Sequence, residues 1–122
     1  MEYFILLFLF QIKHFVCDYP LQTQYMLKKA NKEKWIKPLA LHSGVHSAGT
    51  FIVVLFFNLK YAIIFAILDF ILHFIVDRIK ANPNIGNRWG IEKPQFWWAL
   101  GLDQMAHHTI NIIFVYILIG SI

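Results

Sequence analysis

The apolar residues of this chain form four long runs that are separated by three more polar stretches. The runs cover about residues 3–17, 41–57, 61–77 and 96–120. Long unbroken runs are typical of helices that lie in a membrane, whereas helices of a soluble domain are apolar on one face only. The pattern therefore predicts an all-α fold: a polytopic transmembrane bundle of about four helices, in a single membrane domain that covers residues 1–122.

The connections between the runs predict an up-down arrangement. Residues 58–60 leave room only for a tight turn, so the second and third runs are expected to form an antiparallel hairpin. The first connection is expected to contain an interfacial helix, because Asp18 can cap a helix that has Pro20 in its first turn. Since a perpendicular span needs about 20 residues, the first and third runs are short, and the first could be re-entrant.

Composition supports a membrane protein. Of the 122 residues, 58% are hydrophobic and only 15% are charged. The single cysteine, Cys17, excludes an intramolecular disulfide framework. The first run lacks the positive flank and small-residue cleavage site of a secretory signal, so we expect it to be retained. The formal charge of +4 does not predict nucleic-acid binding, because the basic residues border the apolar runs.

Basic and tryptophan residues gather at one end of the predicted bundle. Nine of the eleven basic residues lie in the first and third connections, namely Lys28, Lys29, Lys32, Lys34, Lys37, Arg78, Lys80, Arg88 and Lys93. All four tryptophans, Trp35, Trp89, Trp97 and Trp98, lie on or beside the same connections, where their rings suit the headgroup region. The positive-inside rule then predicts a multi-pass protein of the cytoplasmic membrane, with both long connections in the cytoplasm and both termini outside.

Histidine and aspartate residues interrupt the apolar runs at intervals of four residues. The four pairs are His14 and Asp18, His42 and His46, His73 and Asp77, and Asp103 and His107, and Asp69 lies four residues before His73. Residues four apart share one helix face, and ionisable groups are costly to hold in a membrane. In an up-down bundle all four pairs fall at one depth in the cytoplasmic half, whereas His108 is expected to lie off this stripe.

Imidazole and carboxylate groups at this spacing are a common way to build a transition-metal site in a helical bundle. The eight paired residues are therefore candidate ligands for one or two ions of zinc, iron or manganese, and some of them are expected to orient a ligand instead. In a metal-dependent hydrolase, Asp69 or Asp103 could move the proton. The candidates for binding an anionic or lipid-linked substrate near the mouth of the site are Lys28, Lys29, Arg78, Lys80 and Arg88.

Two other functions are compatible with the same pattern. Intramembrane acid and histidine chains also act as relays, so the chain could be a metal-ion or proton conduit, although residues 51–57 and 61–68 offer no charged group for such a path. A non-catalytic structural protein of a phage or an envelope would use the polar stripes to hold helices or protomers together, as a buried ion-pair network. Membrane lipid is a partner in each case, and because four short helices enclose little volume, a homo-oligomer is expected.

The motifs around these residues resemble those of a known family. They are H-x3-D-x2-LQ from His14, H-x3-D-x2-K from His73 and DQ-x2-H from Asp103. Over about residues 11–110 the chain is similar to a domain-of-unknown-function family of small bacterial and phage integral membrane proteins, and residues 96–104 are similar to phage-encoded members. The family looks distantly like membrane-bound metal-dependent hydrolases. This resemblance implies metal ligation by both residues of the first, third and fourth pairs and leaves the substrate open.

Overall fold

The computed structural model describes residues 2–121, and it describes the side chains of residues 4–120. Four α-helices follow one another along the chain: α1 Glu2–Asp18, α2 Ile36–Leu55, α3 Leu59–Ala81 and α4 Pro94–Ser121. The end of α1 contacts the start of α2, and the end of α3 contacts the start of α4, so the chain runs up and down. No strand occurs in the described part of the chain, and the predicted all-α bundle is confirmed.

Two helices extend beyond the apolar runs that predict them. α2 begins at Ile36 rather than near residue 41, because Pro38 fits the first turn of a helix, where its missing N–H costs no hydrogen bond. The apolar run alone predicts a short third helix, but α3 has 23 residues, so this part of the prediction is wrong. Asn58 caps α3 by accepting a hydrogen bond from the backbone N–H of Tyr61 at 3.2 Å, which fixes the turn of the hairpin.

The lengths of the helices agree with a membrane location. Among the described residues, α2, α3 and α4 are long and apolar enough to cross a membrane. α1 has 17 residues, and at about 1.5 Å per residue it is about 25 Å long, somewhat less than a hydrocarbon core of about 30 Å. Large apolar side chains such as Phe4, Phe56 and Tyr116 are exposed on the outside of the bundle, where a membrane would surround them with lipid.

The first connection contains a short 3-10 helix, Met26–Ala30, in the region where an interfacial helix is predicted. Asp18 does not cap it, and this part of the prediction is wrong. Asp18 is the last residue of α1, and its carboxylate contacts imidazole groups inside the bundle instead of a backbone N–H. Because α1 continues through Asp18, this residue ends a helix and does not begin one.

Apolar side chains fill one end of the bundle. This core consists of Leu6, Phe10, Val54, Ala62, Phe65, Phe114, Val115 and Leu118. The rings of Phe65 and Phe114 stack with centroids 4.5 Å apart. Because lipid is as apolar as these side chains, close packing rather than exclusion of water stabilises this end. The buried histidines lie toward the opposite end, where the two long connections are.

Candidate metal centre

Each helix places its pair of residues, two histidines on α2 and a histidine with an aspartate on the others, on the face that points into the bundle. Seven of the eight predicted ligands are buried, and Asp18 is partly exposed. The spacing of four residues explains this arrangement, because it sets both members of a pair one above the other on the same face. The structure therefore brings the four pairs into one polar layer.

Four side chains from three helices form the tightest part of this layer: Asp18 from α1, His42 and His46 from α2, and His73 from α3. One ligand atom from each of these residues lies within 4.8 Å of the other three. Asp18 Oδ1 lies 2.7 Å from His46 Nε2 and 3.5 Å from His42 Nε2. Three imidazoles and a carboxylate form a donor set that zinc, iron and manganese accept. We call these four residues the four-residue group.

The geometry of the four-residue group fits a metal ion. Donors that lie about 2.0–2.2 Å from a tetrahedral ion are roughly 3.4 Å from one another, so the group needs only a small contraction. The Nε2 atoms of His42 and His46 face Asp18, and their Nδ1 atoms are buried with no hydrogen-bond partner among the described residues. The distances among the four donors therefore allow the group to hold a metal ion.

His14 lies beside this group and contacts its carboxylate. His14 Nε2 is 2.9 Å from Asp18 Oδ2 and 2.8 Å from Gln104 Oε1. A residue in this position orients Asp18 toward the two histidines of α2. Gln104 belongs to the DQ-x2-H motif, but its contact with α1 depends on how α1 packs against α4 and was not predicted.

α4 contributes a second pair of an acid and an imidazole. His107 Nε2 lies 3.2 Å from Asp103 Oδ1. The His107 ring stacks on the ring of His73 with centroids 4.0 Å apart, and His73 stacks on His46 with centroids 3.9 Å apart. The imidazoles of α2, α3 and α4 thus form one continuous stack, which joins this pair to the four-residue group.

His108 lies off the stripe formed by Asp103 and His107, but its ring still reaches the edge of the polar layer. Its ring centroid is 4.7 Å from that of His14, while the His107 ring is 6.0 Å from His14. A rotation of about 100° on α4 separates the two neighbours, but His14 on α1 lies next to both of them.

Asp69 belongs to a separate polar contact. Its carboxylate accepts hydrogen bonds from Lys13 Nζ at 3.0 Å and from Thr50 Oγ1 at 2.6 Å, and all three side chains are buried. Gly49 makes room for the lysine, since a Cβ atom there would lie 2.8 Å from Lys13 Cγ. Sequence reasoning missed the contact of Lys13 with Asp69, because the two residues are 56 positions apart in the chain. The only signal in the sequence is that Lys13 is a basic residue inside an apolar run.

Three of the five basic residues predicted to bind a headgroup contact aromatic rings at the rim of the bundle. Lys28, Arg78 and Arg88 lie over the rings of Tyr25, Trp35 and Trp89, respectively. The Arg78 guanidinium also donates hydrogen bonds to the backbone carbonyl oxygens of Lys29 and Asn31. The contacts of Arg78 fasten the first connection to the end of α3.

The other two, Lys29 and Lys80, line a polar cavity of about 180 Å³ beside the four-residue group. Its lining also includes Asp18, His73, Asp77, Asp103 and His107. Lys29 Nζ donates a hydrogen bond to Asp77 Oδ2 at 2.6 Å, and the same oxygen lies 3.5 Å from His42 Nε2. Lys80, by contrast, makes no side-chain hydrogen bond or salt bridge among the described side chains, those of residues 4–120.

The chain matches the family described as a protein of unknown function, DUF3307, over residues 6–122. The chain belongs to this family. This confirms the suspected domain-of-unknown-function family, and the matched region includes the whole polar layer. No curated protein and no solved structure is similar enough to match the chain.

Proposed function

We propose that this protein binds a divalent transition metal (zinc, iron or manganese) at the four-residue group and uses it to hydrolyse a phosphorylated or lipid-linked substrate. One observation supports this most strongly. Asp18 and His73 of the group line a cavity that also contains Lys80, which has no ion-pair partner in the described part of the chain, and the pair of Asp103 and His107. Polar stripes that only hold helices together give no reason for such a cavity.

The residues around the cavity suit the separate tasks of a hydrolase. A bound divalent ion lowers the pKa of water, so that hydroxide is available near neutral pH. The ammonium group of Lys80 can bind a phosphate oxygen. The pair of Asp103 and His107 can accept a proton from water and pass it to the leaving group. In hydrolysis of a phosphomonoester, the water oxygen bonds to phosphorus, the bond from phosphorus to the alcohol oxygen breaks, and the alcohol leaves with the proton.

Asp69 has no part in this chemistry. It is not among the residues that line the cavity, and its carboxylate is already held by Lys13 and Thr50. Beyond this ion pair the bundle is filled by apolar side chains such as Phe10 and Phe65. An unpaired ion would cost at least a few kcal/mol in that layer, which argues against a metal-ion or proton conduit.

Hydrolysis is the direct test of the proposal. Purified protein loaded with zinc or manganese is expected to release phosphate from a soluble aryl phosphate, and Asp103→Asn is expected to slow the release by about 100-fold or more, because proton transfer contributes at least that factor. Initial rates are compared at equal metal occupancy. Lys60→Gln is the control: Lys60 is exposed in the first turn of α3, at the far end of the bundle, and its loss should leave the rate unchanged.

The proposed hydrolase activity is contradicted if metal-loaded protein cleaves no phosphomonoester, phosphodiester or pyrophosphate. If the same protein also conducts metal ions or protons in proteoliposomes, and the flux depends on Asp69, the conduit takes its place.

We propose further that the polar layer lies toward the cytoplasmic face of the cytoplasmic membrane, with both termini outside. The support is the nine basic residues and four tryptophans in the connections at that end of the bundle. In a Cys17→Ser background, a cysteine at Asn84 is expected to be protected from an impermeant thiol reagent in intact cells, and a cysteine at Lys60 is expected to react. Both positions are exposed. Labelling at residue 84 with protection at residue 60 would reverse the orientation.

A further inference from the structure

An apolar groove begins where the polar cavity ends. The groove has a volume of about 290 Å³ and lies between α3, α4 and the loop that connects them. Its apolar lining includes Val76, Ile79, Ile85, Trp89, Ala99 and Leu102. Lys80 and Asp103 line both the groove and the polar cavity, so the two spaces meet at these residues.

The size of the polar cavity limits what it can hold. Sites for drug-sized ligands have volumes of about 300–1,000 Å³, whereas the polar cavity has about 180 Å³. The cavity therefore suits a compact headgroup, and the rest of a larger molecule has to lie elsewhere. The adjoining groove is the space available for it, and it is open to the surroundings of the bundle, since Ile79 is 51% and Leu102 is 61% exposed.

The ammonium group of Lys80 at the junction can bind an anion. Lys80 is partly buried, with apolar side chains on the groove side, and it has no ion-pair partner within the described chain. Asp103 also lines both spaces, but its carboxylate contacts His107 and Gln104 rather than Lys80. A partly buried ammonium group without a partner is costly, and a phosphate oxygen would supply a strong, charge-assisted hydrogen bond.

The wall formed by the loop is part of the fold rather than a chance contact. The backbone N–H of Gly86 donates a hydrogen bond to the carbonyl oxygen of Ile79 at 3.0 Å. A Cβ atom at Gly86 would lie only 2.6 Å from the Lys80 carbonyl oxygen, so this close approach requires glycine. It fixes the loop against the end of α3 and holds Ile85 and Trp89 beside the groove.

We propose that the substrate is a long-chain amphiphile with a compact phosphate headgroup, which binds with its phosphate at Lys80 and its chain in the groove between α3 and α4. This inference rests on the proposed function and narrows its substrate to a phosphate ester that is dissolved in the membrane. A soluble phosphate would leave the groove empty, and a neutral lipid would leave Lys80 unpaired. An amphiphile of this class satisfies both features.

Trp89 lines the groove and can report on the chain beside it by fluorescence quenching. A variant that keeps only this tryptophan, with Trp35→Phe, Trp97→Phe and Trp98→Phe, is placed in nanodiscs that contain a small fraction of one brominated lipid. Brominated phosphatidic acid is expected to quench Trp89 at least about twofold more than brominated phosphatidylcholine or phosphatidylglycerol. Lys80→Gln should abolish this preference, and Lys93→Gln, an exposed residue outside the groove, should preserve it.

A second measurement covers the case in which the variant with a single tryptophan does not fold. Ile79→Trp fills the groove, and Ile75→Trp is its control, since both isoleucines are 51% exposed on α3 but only Ile79 lines the groove. The groove-filling variant is expected to raise KM for hexadecyl phosphate about tenfold and to leave hydrolysis of the aryl phosphate unchanged. The control should change neither.

The outcomes separate this inference from the proposed function. Equal quenching by all three lipids, in protein that still cleaves the aryl phosphate, overturns the amphiphile and leaves the hydrolase intact. Preferential quenching by phosphatidic acid, in protein that binds no metal, supports the lipid site and contradicts the hydrolase. If inorganic phosphate at low concentration removes the preference, Lys80 serves a soluble anion and the inference is wrong.

Discussion

Replacing His73 with phenylalanine is expected to weaken metal binding by at least about 100-fold while the metal-free protein stays folded. Loss of a residue that only orients a ligand costs 10–100-fold in metal affinity, so loss of a ligand should cost at least that much, which is about 3 kcal/mol. Phenylalanine keeps a flat ring in the stack between His46 and His107 and removes both nitrogens. His73 is suited to this test because its side chain makes no hydrogen bond or salt bridge with the side chains described, residues 4–120.

Metal affinity is measured by competition with a chromophoric chelator in detergent. Thr50→Val is the matched control, because Thr50 is buried one turn from His46 but donates its hydrogen bond to Asp69 rather than to the four-residue group. The control should bind metal with nearly wild-type affinity. Wild-type affinity in His73→Phe would exclude His73 from the site.

Breaking the buried ion pair between Lys13 and Asp69 is expected to cause the largest loss of stability. Removal of one partner leaves an uncompensated buried charge, which costs about 3–5 kcal/mol in the free energy of unfolding. Lys13→Met and Asp69→Leu should each show a loss of this size. The double variant should lose much less than the sum, because it leaves neither charge behind.

The free energies are measured by unfolding in mixed micelles with increasing sodium dodecyl sulfate. Lys60→Met provides the control, since Lys60 is exposed and its replacement should change stability by less than about 0.5 kcal/mol. Additive losses in the double variant would show that Lys13 and Asp69 do not interact in the folded protein.

Much of the fold could be predicted from the sequence because two independent patterns agree. Apolar runs locate helices, and the interval of four residues between His42 and His46, or between His73 and Asp77, places each pair on one helix face. The up-down order then puts the pairs in one layer. Helix ends were harder to predict, since a first turn that contains Lys37 and Pro38 does not resemble an apolar run.

The contacts within the layer could not be predicted from periodicity. Spacing along one helix says nothing about how far a neighbouring helix is shifted or rotated. For this reason neither the contact of His14 with His108 nor the reach of Lys13 past Gly49 to Asp69 was foreseen. Periodicity named eight equivalent ligands, whereas packing sets Asp18 and three histidines apart from the rest.

The most direct test of the central claim is the metal content of the wild-type protein, together with its X-ray absorption spectrum. The protein is purified without a histidine tag and without chelators. A site at Asp18, His42, His46 and His73 predicts about one zinc, iron or manganese ion per chain, bound by nitrogen and oxygen donors at about 2.0–2.2 Å. Folded protein that contains only traces of metal, and takes up none when zinc, iron(II) or manganese is added, would contradict it.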